Sequence, residues 1–419
     1  MAIGMYFASY TISLLGNSVI NVVLPVLVLA ATGEPLMAGL VALASGASTV
    51  VFGMLSGPLI DRGDKRIVAG IADMISAGSV GLLAAVATFG ELSPLWFVLS
   101  AFLSGIGDMP AWNAREAMIY GLQRESGVSL ERLVGIRETV SAAAIVIGPT
   151  LAGILMHYFD PRPILWITCV TSLIAGLTVL MSPKALAGRA ESVGEDEKFS
   201  LGELTSEGFS YLMQSGNKTL RTLTGFNIAS VALVSVLQSL LIPVVMVLNN
   251  AAGANGYALG AIGLGLLLGG GLYAVMGMKL RAWSLLVAST LSNVLVFGLL
   301  SLFISIPYVI CLCFLFGLTS ATVGAVTGVL SLQVTEEEFR GRVNGFQNSM
   351  SMVVGPISVF ALSWLVSVSN VSVATGALVV LWTLANVLML ISLRGDAFVA
   401  AKPASTTADG SAAGDEQKP

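Results

Sequence analysis

The stretch Gly53-Met-Leu-Ser-Gly57-Pro-Leu-Ile-Asp61-Arg62-Gly63-Asp64-Lys65-Arg66 joins two runs unlike itself: 36–60, which carries no charge, and 67–90, which carries one, Asp73. A helix crosses the hydrocarbon core of a bilayer in about 20 apolar residues, and each run supplies that length. The charges at Asp61, Arg62, Asp64, Lys65 and Arg66 belong in water. The segment reads as a helical hairpin through a membrane with its charged turn at one face.

The pattern continues along all 419 residues. Twelve spans are expected, at 3–31, 36–60, 67–90, 94–120, 132–157, 163–182, 220–248, 256–278, 283–304, 307–334, 343–367 and 371–393. The one long polar stretch, with Glu191, Glu195, Asp196, Glu197 and Lys198, separates six spans from six. The expected organisation is an N-terminal six-helix bundle at 1–182, a cytoplasmic linker at 183–219, a C-terminal bundle at 220–394 and a disordered cytoplasmic tail at 395–419. Lys and Arg collect in every second loop, while the alternate loops hold only Arg162. The positive-inside rule then puts both termini in the cytoplasm; the expected place of such a multi-pass chain is a bacterial inner (cell) membrane.

Composition agrees. Hydrophobic residues make up 55% and charged residues 11% of the chain, against about 25% charged in soluble proteins, and mean hydropathy is +0.88. A soluble enzyme is excluded. The net charge of −4 gives no basic face for nucleic acid. One histidine and three cysteines inside apolar runs (Cys169, Cys311, Cys313) support neither a metal site nor a disulfide framework. No cofactor is expected, and the chain is expected to work as a monomer with protons, the lipid bilayer and a small-molecule substrate as its partners.

The halves repeat one motif. Arg132-Leu-Val-Gly135 precedes Gly148-Pro149 in span five, and Arg342-Val-Asn-Gly345 precedes Gly355-Pro356 in span eleven. Paired repeats of six helices about a central site are a transporter architecture. The loop 53–66 resembles the signature loop of the major facilitator superfamily, with Asp64 and Lys65 departing from the usual Gly and Arg. Gly135-x8-Ala144-x3-Gly148-Pro149-x2-Ala152-Gly153 resembles the antiporter motif of its drug-exporting members. Trp112-Asn-Ala-Arg115-Glu116, Glu131-Arg-Leu-Val-Gly-Ile-Arg-Glu138 and Arg340-Gly-Arg-Val-Asn-Gly345 resemble the macrolide and multidrug efflux branch, which includes Tap-like pumps.

That resemblance implies an all-α membrane fold of two pseudo-symmetric six-helix bundles, alternating access, and export of hydrophobic or cationic drugs in exchange for protons. It also implies that Asp61, Arg62 and Arg66 belong to a gate that latches the halves, with Gly57 allowing close helix contact. Gly135, Gly148, Pro149, Gly153, Gly355 and Pro356 are expected as the structural motif that packs spans five and eleven. Export of a lipid, siderophore or metabolite, or proton symport, is the alternative on the same fold.

Ionisable residues at membrane depth are costly and are functional candidates by default. They are Asp73, Asp108, Arg115, Glu116, Arg137 and Glu138, all in spans three to five. Asp108, with Gly105, Gly107 and Pro110 around it, is the first choice for proton carrier, and Glu138 and Asp73 follow. Arg115, Glu116, Arg137 and Glu138 read as one charge network, with Arg115 placed to pair with Glu138 and Asp73 completing it. Span one carries Asn17 where many efflux relatives have Asp, so this position cannot titrate. Asn17, Asn21, Trp112, Asn227 and Gln238 are candidate cavity residues.

Overall fold

The computed structural model describes residues 2–187, 201–214, 216–276 and 282–393. The tail at 395–419, the linker acids Glu191 to Glu197 and the basic residues Lys279 and Arg281 lie outside them. The described chain is α-helical, with twelve helices long and apolar enough to cross a membrane. The first six are α1 (Ala2–Thr32), α2 (Pro35–Arg62), α3 (Lys65–Phe89), α4 (Pro94–Ser126), α5 (Leu130–Tyr158) and α6 (Pro161–Leu180). A short helix, α7 (Leu201–Met213), follows. The seventh span, Lys218–Leu248, is built of α8 (Lys218–Val236), a π turn (Leu237–Leu241) and α9 (Ile242–Leu248). The rest are α10 (Ala254–Met276), α11 (Ala282–Leu300), α12 (Ile306–Val334), α13 (Arg340–Val368) and α14 (Val371–Leu393).

Proline opens α2, α4, α6 and α12, where its missing N–H costs nothing and its fixed φ suits the first turn. The fourth span runs past its expected end at 120 to Ser126, because Met118, Ile119, Gly121 and Leu122 stay buried. It stops at Gly127, whose φ of 66° is a left-handed conformation that glycine adopts without strain. The ninth span ends at Leu300, short of the expected 304.

Within the first half α3 packs on α4 and α6, α2 on α4, and α1 on α5 and α6; within the second α10 and α11 pack on α12, and α8 on α13 and α14. The internal repeat has a structural counterpart. A Cβ on Gly148 would press on Ser18 of α1, and one on Gly355 would meet Ser235 of α8 at 2.8 Å. Span five thus closes on span one as span eleven closes on span seven.

The halves meet through α2 against α13, α5 against α10, and α1 against α9. All the tight approaches lie towards the face opposite the chain ends. Gly39 leaves no room for a Cβ beside Ser363, nor Gly46 beside Pro356, and Gly153 packs on the backbone of Gly253 and Tyr257. Asn255 Nδ2 donates to Val22 O across the halves at 3.4 Å. Nearer the chain-end face no atom lies within 4 Å of a Cβ built on Gly57, Gly135 or Gly345. The halves are closed together on one side and separated on the other. Gly57 and Gly135, expected to mediate close contact, face open space because they lie on the separated side. Gly46→Leu is expected to wedge this closure, and a cysteine placed at Asn21 should then label faster from the side opposite the termini.

Candidate functional site

The site begins with two glycines of α4. Gly105 lies against Ser45 and Ser48 of α2, and Gly107 against the backbone of Ala72 and Ser76 of α3. Neither position has room for a side chain, so α3 and α4 approach closely. That approach brings the Ser76 hydroxyl to Asp108, donating to Oδ1 at 2.7 Å. Asn17 of α1 lies beside the same carboxylate. Asp108 is half-buried and near the middle of α4, and no arginine or lysine pairs with it among the described residues. Its partners are neutral.

The helices run antiparallel, so one turn back along α3 and two turns on along α4 reach a common level. There Arg115 forms a buried ion pair with Asp73. The guanidinium bonds both carboxylate oxygens, donates to Ser9 Oγ at 2.9 Å, and leaves Nε without a partner. Ser13 donates to Asp73 Oδ1 at 3.3 Å, and the Tyr6 hydroxyl to the Arg115 carbonyl at 3.0 Å. Tyr6, Ser9, Ser13 and Asn17, spaced by three or four residues, form one polar stripe of α1 that crosses both acids.

The expected single network is in fact two. Arg115 pairs with Asp73 and not with Glu138, because the α3–α4 register turns its side chain inward. Arg137 holds Glu116 at 2.7 Å and Glu138 at 2.6 Å nearer the chain-end face, where Glu138 is largely exposed. Aromatic rings stand beside this second group: Tyr10 lies 5.8 Å from Trp112, and its hydroxyl is 2.7 Å from Ser141 Oγ.

In the loop 61–66, Asp61 and Arg62 are exposed and make no side-chain hydrogen bond or ion pair among the described residues. Asp64 explains its departure from glycine: it caps α3, accepting from the Arg66 N–H at 3.0 Å, and holds the Arg66 guanidinium at 2.6 Å. Arg66 in turn donates to Ser182 O at 2.5 Å, tying the start of α3 to the end of α6. Burial pushes the Asp64 carboxyl up, but the hydrogen bonds from Arg66 outweigh it and hold the group below the usual carboxylate range. Its stabilisation is therefore present above the unfolded-state value of about 4 and fades as pH falls through the lower folded value. Asp64→Ala is expected to cost about 1 kcal/mol, read as a lower unfolding temperature in detergent at pH 7.

Between the halves lies a cavity of about 530 Å³. Asn21 and Ser18 of α1, Pro149 of α5, Gln238 of the π turn, and Gly355 and Pro356 of α13 line it. Such a volume suits a drug-sized molecule. Asn21 and Gln238 thus share one cavity, whereas Trp112 borders a cleft between α4 and α5, and Asn227 a recess inside the second half. The sequence alone does not single out Ser76, Ser9 and Ser13. The three-residue step from Asp73 to Ser76 and the stripe on α1 are the signals that mark them.

Two bundles of six helices, repeated in their packing and parted around a central cavity, define a secondary transporter fold rather than an enzyme fold. The structure of the nucleoside transporter NupG superposes with a TM-score of 0.76 at 12% identity, covering 93% of this chain and 99% of that one. The Major Facilitator Superfamily model matches residues 6–359, and the chain belongs to that family. Among curated relatives, the multidrug efflux pump Tap of Mycolicibacterium fortuitum is 24% identical over 351 residues, 82% of this chain and 84% of that protein. Macrolide efflux protein A of Streptococcus pyogenes is 24% identical over 367 residues, 84% of this chain and 86% of that protein.

Proposed function

We propose that the protein exports hydrophobic, often cationic compounds from the cytoplasm in exchange for protons, with Asp108 as the group that carries the proton. The observation behind this is the contrast among its membrane carboxylates. Asp73 faces Arg115, and Glu116 and Glu138 face Arg137, whereas Asp108 has only the Ser76 hydroxyl and Asn17. A carboxylate that already has its counter-cation gains little by binding another. An uncompensated one in a half-buried site can take either a proton or a cationic cargo, and competition between the two is what antiport requires.

In this reading the basic loops and both termini lie in the cytoplasm, which makes the separated face the cytoplasmic one and the state inward-open. In that state the gate residues Asp61 and Arg62 are disengaged, which fits a latch that forms only when the cytoplasmic side closes. The Glu116–Arg137–Glu138 group lines the open mouth and is suited to re-pair during closure. The drug relatives favour this cargo over a lipid, siderophore or metabolite. Cells carrying the protein should accumulate less ethidium and tolerate more of the exported drugs than cells lacking it. Unchanged drug tolerance with an altered siderophore or lipid export profile would favour the other cargo.

A further inference from the structure

The second half contains a recess of its own, about 160 Å³, enclosed by α8, α11, α12, α13 and α14. Its volume is below the roughly 300 Å³ at which pockets for whole drug-sized ligands begin, so it holds one ring or arm of a larger molecule. None of the residues lining it is ionisable. The α12 wall presents Ser320, Gly324, Thr327, Gly328 and Ser331 at helical spacing, and the two glycines leave space between the hydroxyl-bearing residues.

One side of the recess is fixed by a satisfied network. Asn293, 1% exposed, donates to Thr319 at 3.0 Å and Ser320 at 2.8 Å and accepts from Trp382 Nε1 at 3.0 Å. This holds the Trp382 ring stacked on Phe226, with centroids 5.6 Å apart. The opposite side has unused capacity. Gln347 spends its Nε2 on Thr224 at 2.8 Å, leaving Oε1 as an acceptor, and the Asn227 amide and Ser331 hydroxyl have no side-chain partner among the described residues.

A cation finds no counter-charge here, and a purely apolar group would strip water from the amides without replacing its hydrogen bonds, at a cost for each. The match is an uncharged ring that carries hydroxyl or ether oxygens along its edges and a C–H face for Phe226 and Trp382. On α8, Asn227, Ser230 and Val234 line the recess, and Gln238 one turn further lines the cavity between the halves. The two spaces follow one helix face.

We infer that this recess is a second subsite, taking an uncharged hydroxylated ring, so that preferred cargoes join a cationic centre to such a ring. The inference rests on the exporter reading above. Proteoliposomes holding the full chain would be assayed with two probes: tetraphenylphosphonium, a cation without hydrogen-bonding groups, and erythromycin, an amine cation bearing hydroxylated rings. Gln347→Leu should raise the half-saturating erythromycin concentration about tenfold and leave tetraphenylphosphonium within twofold. Ser331→Ala removes one hydroxyl with little risk to folding, and should shift erythromycin several-fold in the same selective way.

An erythromycin constant unmoved in both variants, or an equal loss for both probes, overturns the subsite. So does a wild-type protein that moves tetraphenylphosphonium alone, which leaves the exporter reading intact. A wild-type protein that moves neither probe overturns both.

Discussion

Asp108→Asn is expected to reduce drug export driven by a pH gradient to the level of protein-free liposomes while leaving the protein folded. The substitution is nearly isosteric and the Ser76 hydroxyl still finds an oxygen to donate to, so the α3–α4 packing at Gly107 has no reason to change. What is lost is the titratable group. A second variant separates coupling from packing. Asn17 of α1 lies beside Asp108, so an acid placed there stands at nearly the same point between the helices. The exchange Asn17→Asp with Asp108→Asn should therefore recover a measurable part of the pH-driven export that the single variant loses. Full activity in Asp108→Asn, measured at equal protein density, contradicts the assignment.

The largest loss of stability is expected at the Asp73–Arg115 pair. Both side chains are almost wholly buried, and removing one partner leaves a charge without compensation. Such losses run to about 3–5 kcal/mol, a large part of what holds a domain folded. Arg115→Met and Asp73→Ala should each give poor membrane yield and a sharply lowered unfolding temperature in detergent. The double variant should be more stable than either single one, because no orphaned charge remains. The sites share one network, so the shortfall from additivity is the readout. Additive losses would mean that the two residues act separately.

The spans were legible because their signal is coarse: twelve apolar runs of membrane-crossing length, broken by charge. All twelve appear as helices, most ends shifting by one or two residues. The misses lie where that contrast weakens. Helix α7, 13 residues long, is too short to read as a span, and its order comes from contacts that composition does not reveal: Tyr211 stacks on Phe339 at 4.2 Å, and Arg342 holds Glu207 at 3.0 Å. The π turn at Leu237–Leu241 leaves no mark in an apolar run.

The six charges within the spans were also legible as a set, since charge at membrane depth is rare. Their pairing was not. Whether Arg115 meets Glu138 or Asp73 depends on how closely α3 approaches α4, and Gly107 decides that in three dimensions. The roles of Gly57 and Gly135 depend on which side of the molecule is closed, a property of the conformation and not of the chain. The second half, which has no charge away from the ends of its spans, read as apolar shape. Its Asn293, Gln347 and Trp382 are unremarkable one by one and acquire meaning only when three helices bring them around one recess.

Counting protons against cargo is the decisive measurement. Purified protein in liposomes with a trapped pH-sensitive dye would be given tetraphenylphosphonium on the cytoplasmic face, with the membrane potential clamped. Cargo movement to the other face should be matched by protons moving the opposite way, and both fluxes should vanish in Asp108→Asn. Cargo movement without proton movement, or protons travelling in the same direction as the cargo, would contradict proton antiport through Asp108.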